Sequence, residues 1–321
     1  MSIPTWLVAL AVIPPFLIFA WYLVHARRDS RYLMLALLVA LVYGMAIESL
    51  ALHTTHDYDY ADLWLMFGAP PDWVPYTIGV CWACLFYVVG RTSDALGLPW
   101  WQRPFFDGAL AMTIDLMLDP VMSATRFTPN TVLPCMQETG PLSGGLELWV
   151  WCVPPDDPTP LFFSVPTANF LGWFTVITML SFTVRAGRQW GKGETRGALH
   201  QAAMLVGLGV LAIGMDALVG QLSRIPGSSG PAAEWTALAV VVALPWLLIL
   251  TQRRHLRFDT PFSWGRVAWP AYAYASWGVL FYAMGIAGAS GLAGTLLMTA
   301  VIADGILLLL MPSLGTFRRR A

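Results

Sequence analysis

The 321-residue chain is 57% hydrophobic and only 12% charged, and it carries 16 tryptophans. That composition excludes an ordinary soluble globular domain and points to an integral membrane protein. The net charge of −1 is uninformative, and no nucleic-acid partner is expected.

Apolar runs of about 18 residues or more fit spans near residues 5–24, 32–52, 73–90, 104–122, 161–184, 199–222, 234–251, 267–286 and 291–311. The expected fold class is therefore all-α: a polytopic membrane helix bundle of about nine transmembrane helices, forming one domain over residues 1–321. Pro14-Pro15 should kink the first span, and the lack of a cleavage site favours a retained helix over a removed signal peptide. No internal repeat or low-complexity tract interrupts the pattern.

Arg27, Arg28 and Arg31 follow the first span, and Arg91 and Arg103 the third. Arg185, Arg188, Lys192 and Arg196 follow the fifth, Arg253, Arg254, Arg257 and Arg266 the seventh, and Arg318 to Arg320 the ninth. Sixteen of the 18 basic residues thus lie on alternate loops, with only Arg126 and Arg224 on the other side. By the positive-inside rule the N-terminus is outside and the C-terminus cytoplasmic. Cys135 and Cys152 then share the long outer loop, where a disulfide can persist. Cys81 and Cys84 form a C-x-x-C within the third span, which reads more simply as helix packing than as a redox or metal motif.

Carboxylates inside the spans include Glu48, Asp115, Asp119, Asp216 and Asp304. An ionised side chain near the bilayer centre costs about 2.5–3.5 kcal/mol on insertion scales, so each needs a structural partner or a function. Asp115 and Asp119 stand one helical turn apart, where side chains are neighbours. In a poorly hydrated site both cannot ionise cheaply, so one is expected to keep its proton. Pro120 deprives the Leu116 carbonyl of its usual donor, which creates a place for a water.

The outer segments 53–72 and 123–160, rich in Asp, Pro, Gly and aromatics, are expected to form caps or re-entrant pieces over an outward-facing site. His53 and His56, with nearby Asp57 and Asp59, admit a metal reading but lack an H-E-x-x-H arrangement; a hydrogen-bonded cap is preferred, and no metal is expected. Trp149, Trp151 and Trp173 read on residue type as an interfacial belt; the alternative is an aromatic lining that stabilises positive charge. Asn169, at the start of the fifth span, offers an amide to position a water or substrate oxygen.

The order Glu48, Tyr58-x-Tyr60, Asp115-Leu-x-Leu-Asp119-Pro120, Trp149-x-Trp151 and Phe163-x-Val165-Pro166-x-x-Asn169-Phe170-x-Gly172-Trp173 resembles the CruF-type carotenoid biosynthesis family of membrane carotenoid hydratases. The resemblance covers residues 40–185. The chain departs from it at Leu52 to His56, where the family has a Gly- and Thr-rich turn, and in a longer stretch between Asp119 and Trp149. The resemblance implies cofactor-independent addition of water to a terminal isoprene double bond of an acyclic carotenoid drawn from the bilayer of a bacterial or archaeal cytoplasmic membrane. It casts Asp115 and Asp119 as proton donor and partner, Glu48 as a second charge and base, and Asn169 as the group that orients water. Tyr58, Tyr60, Trp149, Trp151, Pro166, Phe170 and Trp173 would line the substrate site. The same acids also suit another acid-initiated isoprenoid cyclase or isomerase, a proton-coupled transporter, or a pigment-binding scaffold without turnover.

Overall fold

The computed structural model describes residues 3–55, 57–128, 140–190, 230–283 and 291–315, together with residues 206, 207, 209 and 214. Its helices are α1 (Thr5–Asp29), α2 (Arg31–Thr55), α3 (Tyr76–Leu96), α4 (Arg103–Met122), α5 (Thr167–Trp190), α6 (Pro231–Gln252), α7 (Trp264–Ala273), α8 (Val279–Ala283) and α9 (Gly291–Leu310). A π-helical turn, Tyr274–Gly278, joins α7 to α8. Among the described residues, α1, α2, α5, α6 and α9 are long and apolar enough to cross a membrane.

Helices α3 and α4 are also long, at 21 and 20 residues, but fall outside that set. The reason for α4 lies in its position. It packs against α3, α5, α6 and α9, and every residue from Phe106 to Val121 is buried. A helix surrounded by protein need not be apolar, because its polar side chains meet other side chains rather than lipid. The other expected spans change as well. The third helix begins at Tyr76 and the fifth at Thr167, each preceded by strand. The eighth is divided among α7, the π turn and α8. Residues 199–222 lie outside the described residues apart from the isolated positions given above.

Helix α1 is assigned continuously through Pro14 and Pro15. Each proline removes the donor that would serve the carbonyl four residues earlier, at Leu10 and Ala11. Both acceptors are satisfied from neighbouring helices: the Tyr272 hydroxyl donates to the Leu10 carbonyl at 2.7 Å and the Thr77 hydroxyl to the Ala11 carbonyl at 3.0 Å. The two prolines therefore supply docking points for α7 and α3.

The described chain is mostly helical, but the all-α expectation needs correction where parts of segments 53–72 and 123–160 fold into a small β cap. Strands β1 (Tyr58–Tyr60), β4 (Ser123–Phe127), β5 (Leu142–Gly144) and β6 (Trp149–Val153) form one sheet in the order β1-β6-β4-β5. Strands β2 (Met66–Phe67) and β3 (Val74–Pro75) pair separately, as do β7 (Leu161–Phe162) and β8 (Val165–Pro166). The register of β1 against β6 sets Tyr58 opposite Trp151 and Tyr60 opposite Trp149. Side chains alternate along a strand, so Y-x-Y and W-x-W each present two rings on one face. The rings meet across the ladder, with centroids 4.8 Å apart for Tyr58–Trp151 and 5.8 Å for Tyr60–Trp149.

The cap is tied to α4 by close backbone contact. Strand β4 follows α4 directly, with the Ser123 hydroxyl donating to the Asp119 carbonyl at 2.7 Å. The chain then returns so that a methyl group at Gly145 would lie 2.8 Å from the Pro120 carbonyl oxygen and closer still to that of Val121. Only glycine fits there. Cys152 in β6 is disulfide-bonded, while Cys81 and Cys84 are free thiols; Cys135, the expected partner of Cys152, lies outside the described residues.

Candidate active site

Beneath the cap lies a cavity of about 680 Å3. Its walls include Glu48 from α2, Asp115 and Asp119 from α4, and Asn169 from the first turn of α5. Three helices separate in sequence thus deliver the four polar residues to one space.

The i, i+4 spacing turns both aspartates to the same side of α4. The Asn169 amide nitrogen bridges them, donating to Asp115 Oδ2 at 3.3 Å and making a shorter contact with Asp119 Oδ2. Asp115 and Asp119 are 2% and 3% exposed, and among the described residues neither enters an ion pair. A carboxylate pair bridged by one amide and without a cation is best accommodated when the pair as a whole keeps one proton.

Glu48 is held differently. Tyr58 and Tyr60 donate their hydroxyls to Oε2 at 2.5 and 2.9 Å, and the Trp82 indole N–H donates to Oε1 at 3.0 Å. Three donors converging on two oxygens suit a carboxylate, which only accepts when ionised. Burial, and then the adjacent Glu48 charge, push the Tyr58 and Tyr60 hydroxyls well above the ordinary tyrosine range. Both therefore stay protonated as donors.

Trp82 was not anticipated as a site residue. It stacks flat on Trp173, with centroids 3.9 Å apart and an interplanar angle of 3°. Its place depends on Gly44, one turn before Glu48 on α2: a methyl group there would lie 2.6–2.9 Å from the Trp82 side chain. The contextual signal was the pairing of a mid-helix glycine with an acid four residues on, but nothing local identifies the indole that fills the gap. Gly44→Ala is expected to displace Trp82 from Glu48 and to cost about 1–3 kcal/mol through overpacking. Thermal melting in detergent checks this, with Gly172→Ala, where an added methyl meets nothing within 4 Å, expected to melt like wild type.

Tyr58, Tyr60, Trp149, Trp151, Pro166 and Trp173 all line the cavity. Trp149 and Trp151 are each 7% exposed and belong to β6, so the belt reading of these two is overturned: sheet pairing turns them inward. Phe170 is not among the lining residues. It is fully buried and packs edge-on against Phe162, with centroids 5.6 Å apart, because its position on α5 faces the β7–β8 hairpin.

The remaining acids separate by their partners. Asp304 accepts the Trp246 indole N–H at 2.6 Å and does not line the cavity; Asp216 lies outside the described residues. Two further acids, Asp107 and Asp94, join an ion-pair cluster that no local sequence pattern marks. Arg185 pairs with Asp107 at 2.9 Å and with Asp94 at 2.6 Å, and Arg103 joins Asp94 at 2.7 Å. Asp107 stands 12 residues before Asp119, about 18 Å along the helix. Helix α4 thus carries a guanidinium-paired acid near one end and a cation-free pair near the other. His53 donates its Nδ1–H to the Ser49 carbonyl at 2.7 Å, and His56 lies outside the described residues; among the described residues no cluster of three metal-ligating side chains occurs.

Comparison with protein-family models, with curated proteins and with solved structures finds no match to this chain.

Proposed function

We propose that this protein is a carotenoid hydratase of the CruF type, adding water across a terminal isoprene double bond of an acyclic carotenoid. The observation that carries this reading is the cation-free Asp115/Asp119 pair, bridged by Asn169, in a cavity walled by aromatic rings. A protonated member of the pair donates its proton to the less substituted alkene carbon. The alkene π electrons form the new C–H bond, leaving a tertiary carbocation and a second carboxylate.

A water held near Asn169 then adds to the cation through its oxygen lone pair. One carboxylate of the pair takes the excess proton, which restores the starting charge and releases the tertiary alcohol. Glu48, whose two oxygens already accept three hydrogen bonds, serves in this scheme as a fixed negative charge rather than a base. The faces of Trp82, Trp173 and the cap tryptophans lower the energy of the cation and keep bulk water from it. The reaction needs no cofactor.

The same reading assigns nine crossings, an outside N-terminus and a cytoplasmic C-terminus in a bacterial or archaeal membrane. The β cap and the acids then lie in the outer half of the bilayer, and the lipophilic substrate arrives laterally from the lipid. Expression in a host that makes acyclic carotenoids tests the proposal. The expected result is a pigment heavier by one water with a tertiary hydroxyl. An isomer of unchanged mass would transfer the acids to isomerase or cyclase chemistry, and an unaltered pigment profile on lycopene-like and longer substrates would overturn the enzyme reading.

A further inference from the structure

The cavity wall also includes a set of side chains, contributed by α1, α3 and the α7–π segment, that the proposed chemistry does not use. They include Pro15 on α1, Ile78 and Cys81 on α3, and Trp269, Tyr272 and Trp277 on the α7–π segment. None of these side chains carries a formal charge at neutral pH. The acids and the cap carboxylates Asp57 and Asp157 lie elsewhere on the cavity wall. The space is therefore amphiphilic.

The π turn decides how the α7–π side chains are arranged. Trp269 and Trp277 are eight residues apart, and in an unbroken α-helix the second ring would point about 80° away from the first. A π turn takes up one extra residue, which brings position 277 back to the face that Trp269 and Tyr272 occupy. Trp277 and Tyr272 meet edge to face, with centroids 6.3 Å apart. Tyr272 is pinned in turn by its hydrogen bond to the Leu10 carbonyl, the acceptor freed by Pro14. Trp269 and Trp277 are only 2% and 1% exposed, so protein packing holds each ring on nearly all sides and leaves only a small part of it toward the cavity.

We infer that Trp269, Tyr272 and Trp277 form a chain-binding arm, which grips the conjugated hydrocarbon behind the reacting end and selects long polyenes over short isoprenoids. Rigid aromatic faces suit a flat, polarisable polyene, and the absence of charge along the arm suits a hydrocarbon. This assignment rests on the hydratase reading for its substrate, but the arm itself is defined by the cavity and the π turn.

The test compares lycopene with geranylacetone, which share a dimethyl-substituted terminal alkene but differ in conjugated length. It uses the full-length protein in lipid nanodiscs. Trp277→Ala is expected to lower the lycopene-to-geranylacetone ratio of kcat/KM by about tenfold or more, mainly through KM for lycopene, and to weaken lycopene binding measured by fluorescence quenching by a similar factor. Trp277→Phe should restore most of both. If Trp277→Ala fails to fold, Tyr272→Leu supplies the same comparison.

A ratio and a lycopene affinity unchanged in the variants, with wild type hydrating lycopene, would overturn the arm while leaving the hydratase standing. Lycopene binding that depends on Trp277, in a wild type that hydrates neither compound, would support the arm and overturn the hydratase.

Discussion

Asp115→Asn and Asp119→Asn, made singly, are expected to reduce the proposed hydration by about 10²–10⁴-fold, the range associated with loss of a positioned acid or base. Each change preserves shape and removes one titrating group. The remaining aspartate then lacks the second carboxyl with which the proposed scheme divides one proton. Asn169 can still bond to both positions, so the bundle should stay folded, as size-exclusion profiles and melting in detergent would register. Turnover at wild-type levels in both variants would dismiss the pair as the proton source. A larger loss in one than in the other would identify the member that carries the proton. Asn169→Ala should lower turnover by less than either aspartate change, because it disturbs orientation but leaves the acid in place.

Glu48 gives the second large effect, and two substitutions separate its roles. Glu48→Ala strands three buried donors, the Tyr58 and Tyr60 hydroxyls and the Trp82 indole, at about 1–3 kcal/mol for each donor left unsatisfied. Its melting midpoint should fall sharply. Glu48→Gln keeps an acceptor for the indole, and a tyrosine hydroxyl can turn to accept from the new amide, so most of the stability should survive. The charge does not. If Glu48 stabilises the carbocation, the glutamine variant should lose about 10²–10³-fold in turnover, by analogy with removal of one preorganised group facing a developing charge. Near-normal turnover in a stable Glu48→Gln variant would reduce Glu48 to a structural anchor for the cap.

The cap was the least legible part of the fold. Tyr58-x-Tyr60 and Trp149-x-Trp151 each show period-two spacing, but nothing in either segment announces that they pair with one another across some ninety residues. Residue type suggested an interfacial belt for the tryptophans, and only the β1–β6 register shows that the rings turn toward the acids. Phe170 illustrates the reverse error. It shares a motif with Asn169, one residue away, yet adjacent helical positions point in directions about 100° apart, and it packs against Phe162 instead. Asp107 shares the predicted span of Asp115 and Asp119, and no local pattern shows that it is ion-paired, because its guanidinium partner is 78 residues further on.

Hydropathy and the i, i+4 rule are local, so the chain by itself determined its membrane character, the approximate positions of the described long helices and the adjacency of Asp115 and Asp119. Whether an acid is paired or left without a cation depends on which side chain of the facing helix meets it, and α5 supplies both Asn169 and Arg185. Only the packing around α4 decided that Asp107 meets Arg185 while Asp115 and Asp119 meet Asn169. The same holds for Glu48, whose three donors come from the cap and from α3, and for the aromatic arm. There a π turn and a carbonyl freed by proline act together across α1 and α7, a long-range arrangement that no local pattern in the sequence encodes.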